Sequence, residues 1–137
     1  MKYSTLLISI TVFLTVTHSL VIADEAKSEA LAKALADYQT TGVIKKCVRM
    51  SDIRNTKVID DQNILFELRR GKAYLNKLPN RCPRLATENR FSYKVTVGQL
   101  CSVDTITVLF SPPGVSGPTC GLGNFEVYEK IGSQEKS

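Results

Sequence analysis

Four cysteines, Cys47, Cys82, Cys101 and Cys120, are the residues best placed to do chemistry in this chain. They are an even set, and none of them forms a C-x-x-C or similarly close pair. Metal binding through thiolates needs ligands clustered in pairs, and thiol redox catalysis needs a low-pKa pair motif. Widely spaced even cysteines in an exported chain read instead as two disulfides. Histidine is the next residue to look for, and the chain has one, His18. It lies in a leader segment expected to be removed, so the remainder has no imidazole to serve as general base, nucleophile partner or metal ligand. Carboxylates remain. Asp60 and Asp61 are adjacent and fall where a strand ends, so their side chains diverge and a turn is the expected role. Asp104 is in phase with Ile106, Val108 and Phe110, on a face expected to point inward. A carboxylate there needs a partner, and Arg81 or Arg90 would supply a buried ion pair. Among the remaining motifs, Cys120-Gly121-Leu122-Gly123-Asn124-Phe125 contains G-x-G, but it precedes a strand and not a helix, so a tight bend is expected and not a phosphate cradle.

The leader is residues 1–23. Lys2 starts it, Leu6 to Leu14 forms a short apolar run broken by Ser9 and Thr11, and Val21-Ile22-Ala23 ends it with small residues before Asp24. This is the pattern of a secretory signal peptide, and the run is short for crossing about 30 Å of hydrocarbon. No second apolar run of spanning length follows, so no membrane span is expected after cleavage. The expected location is periplasmic or secreted.

Cleavage lowers the formal net charge from +5 to +4 by removing Lys2. The positive charge is concentrated in residues 69–94. That block carries Arg69, Arg70, Lys72, Lys77, Arg81, Arg84, Arg90 and Lys94 against Glu88 alone. With Tyr74, Phe91 and Tyr93 among them, these cations are candidates for polyanion binding: lipopolysaccharide, an acidic glycan or nucleic acid. The bland alternative is that they keep strand edges apart.

The elements that must hold these groups follow from periodicity. In residues 24–42, Ala30, Leu31, Ala34, Leu35 and Tyr38 recur at three- and four-residue steps, giving a helix and linker with Gly42 as its stop. From Val43 the period becomes two. Strands are expected over Val43 to Met50, Thr56 to Ile59, Ile64 to Arg69, Ala73 to Leu78, Phe91 to Val97, Ser102 to Phe110 and Phe125 to Ile131. Asp60-Asp61-Gln62-Asn63, Arg70-Gly71 and Gly98-Gln99 turn the chain, and Ser111 to Thr119, rich in proline and glycine, reads as a loop. The expected fold is mainly β: an N-terminal helix followed by about seven strands forming a small antiparallel barrel or curled sheet over residues 43–131, braced by two disulfides. Residues 132–137 read as a disordered tail. An up-and-down meander would pair Cys47 with Cys101 and Cys82 with Cys120. A loop from Pro79 to Asn89 crossing the barrel would make Cys82–Cys101 natural, so both pairings stay open.

Several stretches taken together resemble a family of small secreted bacterial four-cysteine proteins known only as a domain of unknown function. They are Val58-Ile59-Asp60-Asp61-Gln62, Leu78 to Leu85 around Cys82, Gly98-Gln99-Leu100-Cys101-Ser102 and Cys120-Gly121-Leu122-Gly123, with Cys47 before them. The resemblance covers about residues 44–130. It implies an exported four-cysteine domain and no assigned activity, cofactor or catalytic residue. Some family members look like lipoproteins, but this chain has no cysteine just after its leader. The resulting expectation is a non-enzymatic binding or envelope-associated protein, meeting a protein or envelope component through the basic block or the proline loop, without cofactor or metal. A polyanion binder using the basic block is the second expectation, and a small carboxylate-dependent hydrolase built on Asp104 is the third.

Overall fold

The computed structural model describes residues 18–95 and 97–132. Most of the expected leader and residues 133–137 of the expected tail lie outside that range. Helix α1 spans His18–Ala34, and ten strands follow it: β1 Tyr38–Lys45, β2 Cys47–Arg49, β3 Ile53–Val58, β4 Asn63–Leu68, β5 Lys72–Lys77, β6 Phe91–Tyr93, β7 Gln99–Cys101, β8 Thr105–Leu109, β9 Ser116–Gly121 and β10 Phe125–Lys130. A short helix α2, Leu85–Glu88, interrupts the loop after β5. The strands do not close into a barrel. They form an open five-stranded main sheet ordered β1-β10-β5-β4-β3, a β2-β7 ribbon and a three-stranded sheet ordered β6-β8-β9, with every pairing antiparallel.

The central strands β4 and β5 of the main sheet are buried on both faces, and alternation explains why. Ile64 and Phe66 of β4, Tyr74 of β5, and Phe125 and Val127 of β10 point one way. They meet Val48 and Leu100 from the ribbon, Ile106 and Val108 from β8, and Leu78, Cys82, Leu85 and Leu122 from the connections. Leu65, Ala73 and Leu75 point the other way, into a smaller cluster with Leu31 and Leu35 near the end of α1 and with Tyr38, Ile59 and Tyr128. Each fully buried aliphatic or aromatic side chain here contributes about 1.5–3 kcal/mol of transfer free energy. The stripe expected on the N-terminal helix is therefore its docking face, and Lys27 Nζ adds a 2.9 Å hydrogen bond to Gln62 Oε1.

Departures from the expected elements have local causes. The helix ends at Ala34, and Tyr38 joins the same cluster as the first residue of β1. Gly42, expected as the helix stop, takes φ 72° inside β1, where the register shifts between Thr40 and Ile44 and the edge strand bulges. The expected strand Ser102 to Phe110 begins only at Thr105, because the chain turns through Ser102 and Val103. The Asp104 carboxylate accepts the Cys101 N–H (2.6 Å), while the Asp104 N–H bonds the Cys101 carbonyl (3.0 Å). Part of the expected proline loop pairs as β9, with Pro118 on an edge strand, where a missing ladder donor is tolerated.

One disulfide joins two paired strands, and the other joins a connection to a strand. Cys47 and Cys101 lie directly opposite each other across the ribbon, and their bridge is the more exposed. Cys82, fully buried beside Leu78 and Leu85, is bonded to Cys120 of β9. This is the pairing that a meander favours. The G-x-G stretch turns out to be a close backbone approach. Asn76, fully buried, donates to the Gly123 carbonyl (2.7 Å) and accepts the Gly123 N–H (2.9 Å). A Cβ on Gly123 would collide with the carbonyl oxygen of Lys77.

Candidate functional site: a basic groove around Tyr74

The β4-β5 hairpin has two ends, and the basic block is divided between them. At one end lies the turn Asp60 to Asn63. Asp60 accepts the N–H groups of Gln62 (2.6 Å) and Asn63 (2.9 Å) through Oδ1 and the Asn63 side-chain amide (2.7 Å) through Oδ2. Asp61 points away from that turn. Its Oδ2 accepts Nε and Nη2 of Arg81 (3.0 and 2.8 Å), its Oδ1 accepts the Ala86 N–H in the first turn of α2 (2.9 Å), and its carbonyl accepts the Cys82 N–H (2.7 Å). Arg84 pairs with Glu88 and stacks its guanidinium 4.1 Å from the centroid of Phe110. The two adjacent carboxylates thus serve separate turns, as their divergence requires, and Arg81 and Arg84 fasten the loop between β5 and β6.

Asp104 does not take part in an ion pair among the described residues. It is half-buried before β8 and caps the Cys101 N–H. Arg81, one of its two expected partners, is held by Asp61, and Arg90, the other, lines a cleft between β3 and β6. Lys77 lines a separate cavity of about 360 Å³ under α1, with Lys27 and Asp24. Lys94 is exposed just after β6. Of the expected aromatics, Phe91 and Tyr93 belong to the β3-β6 cleft, with their ring centroids 6.1 Å apart, and only Tyr74 stays with the first cations of the block.

At the other end of the hairpin, Arg69, Arg70 and Gly71 form a 3-10 turn between β4 and β5. Two neighbouring cavities open there, of about 310 and 430 Å³, and both are lined by Asp52 and Tyr74. Leu68, Arg69, Arg70 and Lys72 line the first, and Lys45, Cys47, Val48, Arg49 and Gln99 line the second. Five cations therefore surround a shared floor that carries one carboxylate. Lys45 Nζ lies 5.5 Å from the Tyr74 ring centroid and 3.4 Å from its hydroxyl, so an ammonium is held against the aromatic floor. Lys72 is drawn partly aside by Glu129, at 3.3 Å. Arg70 takes a left-handed conformation (φ 61°), which is uncommon and costly outside glycine.

Lys45, Arg49 and Asp52 are the members that sequence reading missed. They come from two strands and a 3-10 turn some twenty residues before the basic block: Lys45 ends β1, which pairs with β10, while Arg49 and Asp52 are brought in by the β2-β7 pairing and the Cys47–Cys101 bridge. The nearest signal was the placing of Lys45, Lys46 and Arg49 around Cys47.

Two groups elsewhere depart from ordinary titration. Burial, and then the charge of Glu67 beside it, raises the Tyr38 phenol. Burial, and then Glu126, raises Tyr128. Both lie in the cluster under α1. Among the described residues no group of three or more histidine, cysteine, aspartate or glutamate side chains could hold a metal ion, and no helix is long and apolar enough to cross a membrane. No family model, curated protein or solved structure matches the chain.

Proposed function

We propose that this chain is a secreted or periplasmic recognition domain, related to the exported four-cysteine family, that binds an anionic ligand in the groove around Tyr74 without transforming it. The carrying observation is the convergence of Lys45, Arg49, Arg69, Arg70 and Lys72 on a floor with Asp52 as its one carboxylate. Cations lining a cleft concentrate field and favour anions over neutral ligands. The left-handed Arg70 supports the reading, since strain kept at an exposed arginine suits a residue retained for its guanidinium. Two disulfides suit an oxidising compartment. A carboxylate hydrolase in the groove would need a second acid beside Asp52, and among the described residues lining it Asp52 is the one carboxylate. Lipopolysaccharide phosphates and sulfated glycans share the chemistry required.

Retention on immobilised heparin and on lipopolysaccharide, followed against salt, tests this. Wild type is expected to elute later than Arg69→Glu/Arg70→Glu/Lys72→Glu, and its affinity to fall steeply with ionic strength. Equal elution of the two proteins on both matrices would discard the groove as an anion site.

A further inference from the structure

A second cleft, of about 360 Å³, lies between two sheet edges. On one side is β3, the last strand of the main sheet, paired only with β4. On the other is β6, the last strand of the three-stranded sheet, paired only with β8. Among the described residues, each leaves one row of backbone N–H and C=O groups without a strand partner. The cleft lining is largely apolar: Thr56 and Val58 from β3, Phe91 and Tyr93 from β6, and Leu109 from β8. Tyr93 and Leu109 remain 38% and 36% exposed, so the apolar surface is open. The charge around it has one sign. Arg54 lies exposed on β3, Arg90 lines the cleft and Lys94 follows β6, and none of the three is in an ion pair among the described residues. The one carboxylate opposite β3 in the ladder, Glu67, accepts a hydrogen bond from Asn55 (2.8 Å).

From this we infer that the cleft is a docking site for an extended, acidic segment of a partner protein, which adds a strand to β3 and lays apolar side chains against Tyr93 and Leu109. Main-chain hydrogen bonds to the free edge supply affinity, and alternate side chains entering the cleft supply specificity. Arg54, Arg90 and Lys94 select the occupant. They repel a second copy of the same edge, which protects β3 from self-pairing, and attract a strand bearing glutamate or aspartate. A nucleic acid would satisfy the charges but would leave the β3 ladder groups and the aliphatic lining unused. The inference does not depend on the groove around Tyr74.

The test uses the protein with both disulfides intact and a synthetic peptide alternating glutamate with valine and phenylalanine. Fluorescence anisotropy reads binding, and hydrogen–deuterium exchange reads which amides are covered. The expected result is saturable binding, with exchange slowed in β3 and not around Arg69 and Arg70. Arg54→Glu/Arg90→Glu, two exposed positions, should weaken binding about tenfold or more. A peptide of the same charge with proline at alternate positions should not bind, because it cannot complete a ladder. No binding, binding without protection of β3, equal affinity for the proline peptide, or an unchanged double variant would each overturn the proposal. So would displacement of the peptide by an oligonucleotide that binds more tightly and leaves β3 unprotected.

Discussion

The two ends of the β4-β5 hairpin carry similar residues and put them to opposite uses. At the Asp61 end, Arg81 and Arg84 are neutralised by Asp61 and Glu88 and tie the loop after β5 to the body of the fold. At the Tyr74 end, Arg69 and Arg70 face a groove and are in no ion pair among the described residues, and they gain Lys45 and Arg49 as neighbours. A run of cations in sequence is therefore not a surface. Six residues of strand carry the chain about 20 Å, so a block that starts before β5 and continues after it must be split between the two ends. Charge at one end is paired and ties a loop in place, and at the other Arg69 and Arg70 are in no ion pair among the described residues.

The bridges offer the largest test of this division. Cys82–Cys120 belongs to the Asp61 end, through the bond from the Cys82 N–H to Asp61, whereas Cys47 lines the groove. The residues joined are 38 and 54 apart in sequence, so restricting the unfolded chain is worth a similar amount for each, roughly 4 kcal/mol. Cys82→Ala/Cys120→Ala should lose that stability in a urea titration and keep its heparin elution while folded. Cys47→Ala/Cys101→Ala should lose both, because the ribbon then has only three paired positions to hold Arg49 at the groove. Undiminished heparin retention in the second variant would show that the ribbon does not build the site.

Charge reversal comes next. Arg69→Glu/Arg70→Glu/Lys72→Glu should weaken anion binding about 100-fold at low salt, while stability changes by about 0.5 kcal/mol or less, as is usual for exposed positions. Arg81→Glu should do the reverse. It places a second carboxylate against Asp61 and is expected to cost about 1–2 kcal/mol with heparin elution almost unchanged. If Arg81→Glu shifted elution as far as the triple variant, the two ends would not be distinct in function.

Much of the fold was legible in the sequence, and what was missed has physical reasons. The helix stripe, the Asp60 turn, the strands around Phe66 and Leu75 and the disulfide class are local patterns, set by side-chain periodicity and turn chemistry. The number of strands was not legible, because a bulge at Gly42, a turn closed by Asp104 and an edge strand containing Pro118 each depend on a partner elsewhere in the chain. The groove was half legible. Arg69 and Arg70 were singled out, but Lys45 reaches it through the β1-β10 pairing, and Arg49 through a pairing with β7 that three residues of strand cannot announce. Leu65 shows the same limit. It alternates as a solvent-facing residue would, yet it is buried, because α1 covers that face.

A smaller effect separates strain from charge at the groove. Arg70→Gly relieves the left-handed backbone and removes one cation. It should raise stability by about 0.5–1 kcal/mol while bringing heparin elution forward. A variant that is less stable than wild type would mean that the Arg70 side chain holds the turn in place, which would move this arginine to the structural side of the comparison.

The smallest expected effect lies under α1, in neither end, and calibrates both. Tyr38 and Tyr128 have phenols raised above the ordinary 10.0, first by burial and then by Glu67 and Glu126. The unfolded chain therefore gives up these protons at lower pH than the folded one does. Stability from keeping the phenols neutral is fully present below about pH 10 and is lost as pH rises through the folded values. Tyr128→Phe removes one of the two contributions, along with a 3.5 Å hydrogen bond to Glu126. Its urea midpoint should fall less between pH 10 and pH 11 than that of wild type, and Tyr38→Phe/Tyr128→Phe should fall less again, while heparin elution at neutral pH stays the same for all three proteins. A midpoint that falls equally in all three would place both phenols in water and undock α1 from the sheet. A shift in elution would instead show that the helix face and the groove are coupled through β5, whose Ala73 and Leu75 lie under α1 while Tyr74 forms the floor of the groove.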